Sequence, residues 1–150
     1  PTRPTVVRLT ASTIYTAAHT DTETIRAYLA DQLGLRPRRG PLTAYEWLAY
    51  VFGQAGRSLP WLPLALTPDG QWHRTLKGQP DVFVGLLPRT QSIMEWQTTA
   101  AGHIAYVTGV TPTEAITIEQ LGTDTPGQFT TTTLDKSAWR ELRPVFTTVT

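Results

Sequence analysis

An imidazole stands at the start of an alternating apolar run, as His103 in Ala101-Gly-His-Ile-Ala-Tyr-Val-Thr-Gly-Val110. A histidine in such a place can act as a general base, because its ordinary pKa lies near neutral pH. Strand alternation puts His103 on the face of Ala105. Glu119 lies near the end of the following strand, where antiparallel pairing would bring it close to the ring to accept the second N–H. Gln120 points to the other face in this interpretation and is the fallback for the same role.

A cysteine hydrolase also needs a thiolate, which the unpaired N–H groups of a helix N-terminus stabilise. The segment Thr43-Ala-Tyr-Glu46 predicts such an N-terminus, a capping box with Thr43 as N-cap and Ala44 as the first helical residue. The chain contains no cysteine. The hydroxyls of Thr43 and Tyr45 do not replace a thiolate, because no base is placed for them. The pattern is that of a cysteine hydrolase site whose nucleophile is missing.

The elements that must position these residues are two helices followed by a sheet. A capping-box pattern and helical spacing predict helix one over residues 21–33, and the second helix runs from position 44 to the glycine at 56. Proline and glycine make residues 59–78 an ordered loop. A period of two then predicts about five strands, at 82–87, 103–110, 114–120, 129–134 and 145–149. Short connections favour antiparallel pairing, so the predicted fold class is α+β, with N-terminal helices packed on an antiparallel sheet.

The chain has the size of one ordinary domain. Its 150 residues are long enough to bury a core, and 40% hydrophobic against 17% charged residues argues against disorder. Residues 1–20 are rich in threonine and are predicted to be a peripheral segment or linker. Residues 21–150 are predicted to be a single domain.

Composition and charge exclude several partners. A net charge of +1 does not indicate a nucleic-acid partner, and the cluster Arg36, Arg38 and Arg39 is typical of a solvated loop. No stretch approaches the roughly 20 apolar residues of a membrane span, so no membrane insertion is expected. The histidines at 19, 73 and 103 lack ligand spacing, and we expect neither a metal nor another cofactor.

Three segments carry a likeness to a known group of proteins. The first resembles a nucleophile helix and its exit, and it reads Leu48-Ala-Tyr-Val-Phe-Gly-Gln-Ala-Gly-Arg-Ser-Leu-Pro60. The second resembles a Pro-Gly-Asp strand opening, and it reads Gln79-Pro-Asp-Val-Phe-Val84. The third resembles a strand that carries the base followed by a strand that carries the acid, and it reads Gly102-His-Ile-Ala-Tyr-Val-Thr-Gly-Val110 with Ile116-Thr-Ile-Glu119. In this order they resemble the CHAP and NlpC/P60 group, papain-like cysteine amidases and endopeptidases of the bacterial cell wall. The resemblance covers residues 41–120.

The resemblance implies a papain-like fold and a role for each site residue. The nucleophilic cysteine of the group maps to Ala44, the base to His103 and the orienting acid to Glu119. A parent enzyme would cleave an amide bond in peptidoglycan, with backbone N–H groups at the start of the second helix holding the oxyanion. Substrate would lie between this helix and the sheet, in a groove with four candidate aromatic lining residues, Tyr45, Trp61, Trp72 and Trp96.

Several interpretations stay open at this stage. Alanine at position 44 is explained by an engineered Cys-to-Ala change in a peptidoglycan hydrolase or by a natural pseudoenzyme. A pseudoenzyme would be a module that binds cell-wall peptide or a protein partner through the same groove. A third interpretation is an interbacterial toxin domain, whose cleft an immunity or inhibitor protein would occupy. Each of them places the protein outside the cytoplasm, secreted, in the cell wall or in the periplasm.

Overall fold

The computed structural model describes residues 5–8, 14–15, 20–36, 38–97, 102–121 and 128–150. Its helices are α1 (Thr22–Leu33), α2 (Ala44–Gln54), α3 (Trp61–Ala65), α4 (Trp72–Leu76) and α5 (Lys136–Glu141). Its strands are β1 (Thr5–Arg8), β2 (Ile14–Tyr15), β3 (Thr20–Asp21), β4 (Val82–Gly85), β5 (Ile93–Trp96), β6 (His103–Val110), β7 (Ile116–Leu121), β8 (Gln128–Leu134) and β9 (Val145–Val149).

Helix α2 begins where the sequence predicts. The Thr43 side chain accepts a hydrogen bond from the Glu46 backbone N–H, and the Glu46 carboxylate accepts from the Thr43 backbone N–H, which completes the capping box. Glu46 is buried, and the Arg26 guanidinium on α1 pairs with its carboxylate at 2.7 Å. The predicted N-terminus of α2 is therefore confirmed, and the ion pair joins it to α1.

Seven strands form one antiparallel sheet in the order β1-β8-β7-β6-β5-β9-β4. Alternation divides its apolar side chains between two faces. The first face packs against α2 and the short helices and carries Ile93, Ile104, Tyr106, Leu121, Phe129 and Val149. The second face packs against α5 and carries Met94, Ala105, Val107, Ile116, Ile118 and Phe146.

The α+β class and the helix-on-antiparallel-sheet arrangement are confirmed, with additions. The predicted loop at 59–78 contains α3 and α4, and the connection at 88–102 contains β5. Strand β5 was not predicted, because its sequence does not alternate between apolar and polar residues. The strand is buried on both faces and includes the buried carboxylate Glu95. Strand β1 pairs with β8 at one edge of the sheet. The division into a peripheral segment and one domain stays a prediction.

Candidate functional site

The His103 side chain lies on the second face of the sheet. Its Nε2 atom is 2.7 Å from Oε1 of Gln120, and its ring centroid lies 4.7 Å from that of Trp96, its cross-strand partner. An amide oxygen accepts hydrogen bonds, so this contact favours the tautomer that carries its proton on Nε2. Gln120 is 7% exposed, which makes the pair a shielded one.

The predicted partner of the ring needs correction. Glu119 lies directly opposite Tyr106 and Thr131, on the first face, whereas Gln120 follows Ile116 and Ile118 onto the second face. Gln120, the fallback residue, therefore holds the position at Nε2 that was predicted for Glu119. The alternation of residues 116, 118 and 120 is the sequence signal that could have identified it.

Ala44 occupies the first position of α2 and is 7% exposed. One turn later, the Trp47 ring packs edge-to-face on Tyr106 and on Phe129, so α2 covers the first face. Phe129 lies near the start of β8 and His103 starts β6, and these parallel-running strands begin at the same end of the sheet. Ala44 belongs to the core cluster that contains Phe129, on the first face, whereas the His103 side chain lies on the second face. The His103 and Glu119 side chains lie on opposite faces of the sheet, and the assignment of Ala44, His103 and Glu119 as one catalytic set stays a prediction.

Three of the four aromatic residues predicted to line a groove are buried in the core. Tyr45 and Trp61 are 7% and 6% exposed, and Trp72 is fully buried. All three rings pack edge-to-face on one another, with centroids about 6 Å apart. The Tyr45 hydroxyl donates to the Trp61 carbonyl at 2.7 Å, and burial raises the pKa of this phenol. Trp72 therefore cannot line a groove. Tyr45 does line a separate cavity of about 270 Å³, where the Arg38 guanidinium lies 4.7 Å from the centre of its ring.

Trp96, the fourth of these residues, lines a different cavity. The cavity has a volume of about 500 Å³ and opens at the end of the sheet near His103. It is surrounded by α4, by the end of β5 and by the connection from α5 to β9. Its lining residues are Gly70, His73, Arg74, Glu95, Trp96, Gln97, Glu141, Leu142, Arg143 and Val145.

A buried carboxylate that sequence reasoning missed lies at the wall of this cavity. Glu95 accepts hydrogen bonds from the backbone N–H groups of Trp72 and His73, at 2.7 and 2.8 Å, and His73 Nδ1 lies 3.2 Å from it. Burial raises the pKa of Glu95 to about 7, with the charge of Asp69 adding to the effect, while the backbone hydrogen bonds oppose it. Burial and Arg74 lower the pKa of His73. Near neutral pH the contact is therefore mainly a hydrogen bond with a neutral imidazole and not an ion pair.

The turn before α4 packs directly against the strand that carries His103. Gly70 has a φ of +88°, and a Cβ atom on it would lie 3.0 Å from the Gly102 Cα and 3.3 Å from the His103 nitrogen. A Cβ atom on Gly102 would collide with the carbonyl oxygen of Asp69. Both positions require glycine, and they hold the wall of the cavity beside His103.

Among the described residues, no group of three or more histidine, aspartate or glutamate side chains is arranged to hold a metal ion. Within the same ranges, no helix combines the length and apolar character needed to cross a membrane.

No protein-family model and no curated protein matches the chain. Its fold is similar to that of a solved structure, the N-acetylmuramoyl-L-alanine amidase from Staphylococcus aureus, with a TM-score of 0.60 and 18% sequence identity. The match covers 77% of this chain and 35% of the amidase chain. The protein therefore has a fold similar to that of a cell-wall amidase, and it corresponds to about a third of that protein's length.

Proposed function

We propose that this chain is a domain of the peptidoglycan hydrolase type that binds cell-wall peptide and, with alanine at position 44, does not cleave it. The observation that carries the proposal is the amidase-like fold combined with Ala44 at the first position of a fully capped helix. An alanine methyl cannot form an acyl-enzyme, and His103 is bonded to Gln120 on the face away from α2. Binding without cleavage is the function that these features support best.

A second candidate is a cysteine amidase or endopeptidase, of the CHAP or NlpC/P60 kind, that this chain represents in an inactive form. It is favoured by the position of residue 44, where unpaired N–H groups of the first helical turn would stabilise a thiolate. It requires the His103 imidazole to leave Gln120 and turn toward α2. The toxin interpretation, its immunity or inhibitor partner and the location outside the cytoplasm remain predictions.

Sedimentation with purified cell walls and release of soluble wall fragments test both candidates. We expect the chain to sediment with the walls, and both it and Ala44→Cys to release no fragments. Ala55→Cys places the same thiol on an exposed residue at the other end of α2 and is the matched control.

Release by Ala44→Cys that is absent in Ala55→Cys and lost again on adding His103→Ala would establish the second candidate instead. A chain that fails to sediment with walls of any composition would overturn the proposal of wall binding.

A further inference from the structure

In the part of the chain that the structure describes, the cavity beside His103 is lined by charged side chains that do not form ion pairs with one another. Arg74 on α4, and Glu141 and Arg143 at the end of α5, all contribute to its lining. Within the described ranges, none of these three side chains forms a hydrogen bond or an ion pair. Opposite charges placed around one cavity without pairing are available to a ligand that carries both signs.

The backbone at Arg143 adds an independent observation. Arg143 has a φ of +51° in the residue after the C-cap of α5, a left-handed position that glycine usually occupies. Its N–H donates to the Arg140 carbonyl at 3.0 Å, as helix termination requires. Termination alone would favour glycine, so a long cationic side chain stands here at some cost in backbone strain and beside the adjoining cavity.

Hydrogen bonds hold the side chains of Glu95 and Gln97 at the floor of the cavity. Both Glu95 oxygens are held by the α4 backbone, and the Gln97 side chain is held by Gln71 at 2.8 Å. Trp96 lines the cavity, and the centroid of its ring lies 4.7 Å from that of the His103 ring. A group bound here would therefore lie one side chain away from His103.

We infer that this cavity binds the end of a short peptide, with its free carboxylate on Arg74 and Arg143 and a neighbouring ammonium group on Glu141. A guanidinium pairs with a carboxylate through two parallel N–H···O bonds. A phosphate dianion is disfavoured, because the Glu141 carboxylate shares the cavity with the two arginines. The inference rests on the proposed function, since it names the part of the wall peptide that the domain recognises.

The test measures the binding of three dipeptide probes. Binding is monitored by the shift of the Trp96 indole N–H signal in nuclear magnetic resonance spectra. Alanyl-alanine carries both charges, its carboxamide lacks the carboxylate, and its N-acetyl form lacks the ammonium group. We expect the carboxamide to bind at least tenfold more weakly than the parent probe. The N-acetyl form should also bind more weakly, and Glu141→Gln should abolish that second difference.

Arg143→Gly separates binding from folding. Glycine relieves the left-handed backbone, so this variant should unfold no more readily than the parent while its affinity for alanyl-alanine falls about tenfold. Arg140→Gln removes a cation from the same helix outside the cavity and should keep the parent affinity.

Unchanged binding by Arg143→Gly, equal binding of the carboxamide, or displacement of the dipeptide by inorganic phosphate at the same concentration would overturn the inference. If one of these results is obtained while Arg143→Gly sediments with cell walls as the parent does, the assignment of the cavity fails but the proposed wall binding stands. A chain that binds neither walls nor dipeptides fails on both counts.

Discussion

At the scale of single residues, the hydrogen bond between His103 and Gln120 sets the chemistry available to the imidazole. A neutral amide oxygen at Nε2 holds one tautomer without supplying a charge to stabilise an imidazolium, which a carboxylate would do. The ring is therefore suited to a fixed donor role on the second face of the sheet. This is a different role from the charged third member that the sequence predicted in Glu119.

Gln120→Leu should remove this restraint. The variant removes the amide oxygen that lies 2.7 Å from Nε2 of His103 in a shielded place, so we expect the free energy of unfolding to fall by about 1 kcal/mol. The ¹⁵N chemical shifts of the imidazole should show that the preference for the Nε2–H tautomer is lost. Glu119→Gln is the matched control on the same strand and should leave the tautomer preference unchanged, because the Glu119 side chain lies on the other face of the sheet. Loss of the tautomer preference in the Glu119 variant would instead restore the sequence-based assignment.

At the scale of elements, Glu95 joins α4 to the sheet. Its carboxylate caps the first backbone N–H groups of a five-residue helix that has no side-chain cap of its own. The same burial that makes this link rigid penalises the charged form of the carboxylate. The pH dependence of stability should therefore report on this link.

The raised pKa of Glu95 determines whether stability rises or falls with pH. Between the ordinary value of 4.5 and the folded value of about 7, the folded protein binds the proton more tightly than the unfolded chain. Its contribution to stability is therefore lost as the pH rises through this range, by about 3 kcal/mol in all. The lowered pKa of His73 has the opposite sign, so the Glu95 contribution must be isolated by comparison with a variant.

The measurement is urea unfolding of the parent and of Glu95→Gln at several pH values from 4.5 to 8. The stability of the parent relative to the variant should decrease through this range and level off above pH 7. Glu23→Gln changes an exposed carboxyl in the first turn of α1 and should follow the parent. Parallel curves for the parent and Glu95→Gln would show that the burial of Glu95 has no such effect.

At the scale of the whole molecule, the sequence predicted correctly those features that depend only on residues close together in the chain. The capping box at Thr43 and the alternation in β6 and β7 lie within short segments, and they led to the correct helix start, strands and fold class. The face that α2 covers depends on long-range packing of Trp47 against Tyr106, which no local pattern contains. Glu95 and the aromatic core around Trp72 were missed for the same reason, because their partners are distant in the sequence.

The contact between Gly70 and Gly102 joins the helical half of the molecule to its strands. Gly102→Ala introduces a methyl group where the Asp69 carbonyl lies, so we expect a loss of about 2 kcal/mol in the free energy of unfolding. Gly109→Ala is the matched control, since a Cβ atom there meets no neighbour. Chemical unfolding of the two variants measures the difference. Equal stability would mean that the turn yields to the added methyl group.

This glycine contact also has a consequence for movement. Because the turn before α4 rests on the backbone immediately before His103, a displacement of that turn toward the sheet would press on the start of β6. A peptide end that moved Arg74 toward the cavity would therefore change the position of the His103 imidazole without contacting it. Occupancy of the cavity and the orientation of His103 would then form one coupled equilibrium, in which each stabilises a particular state of the other.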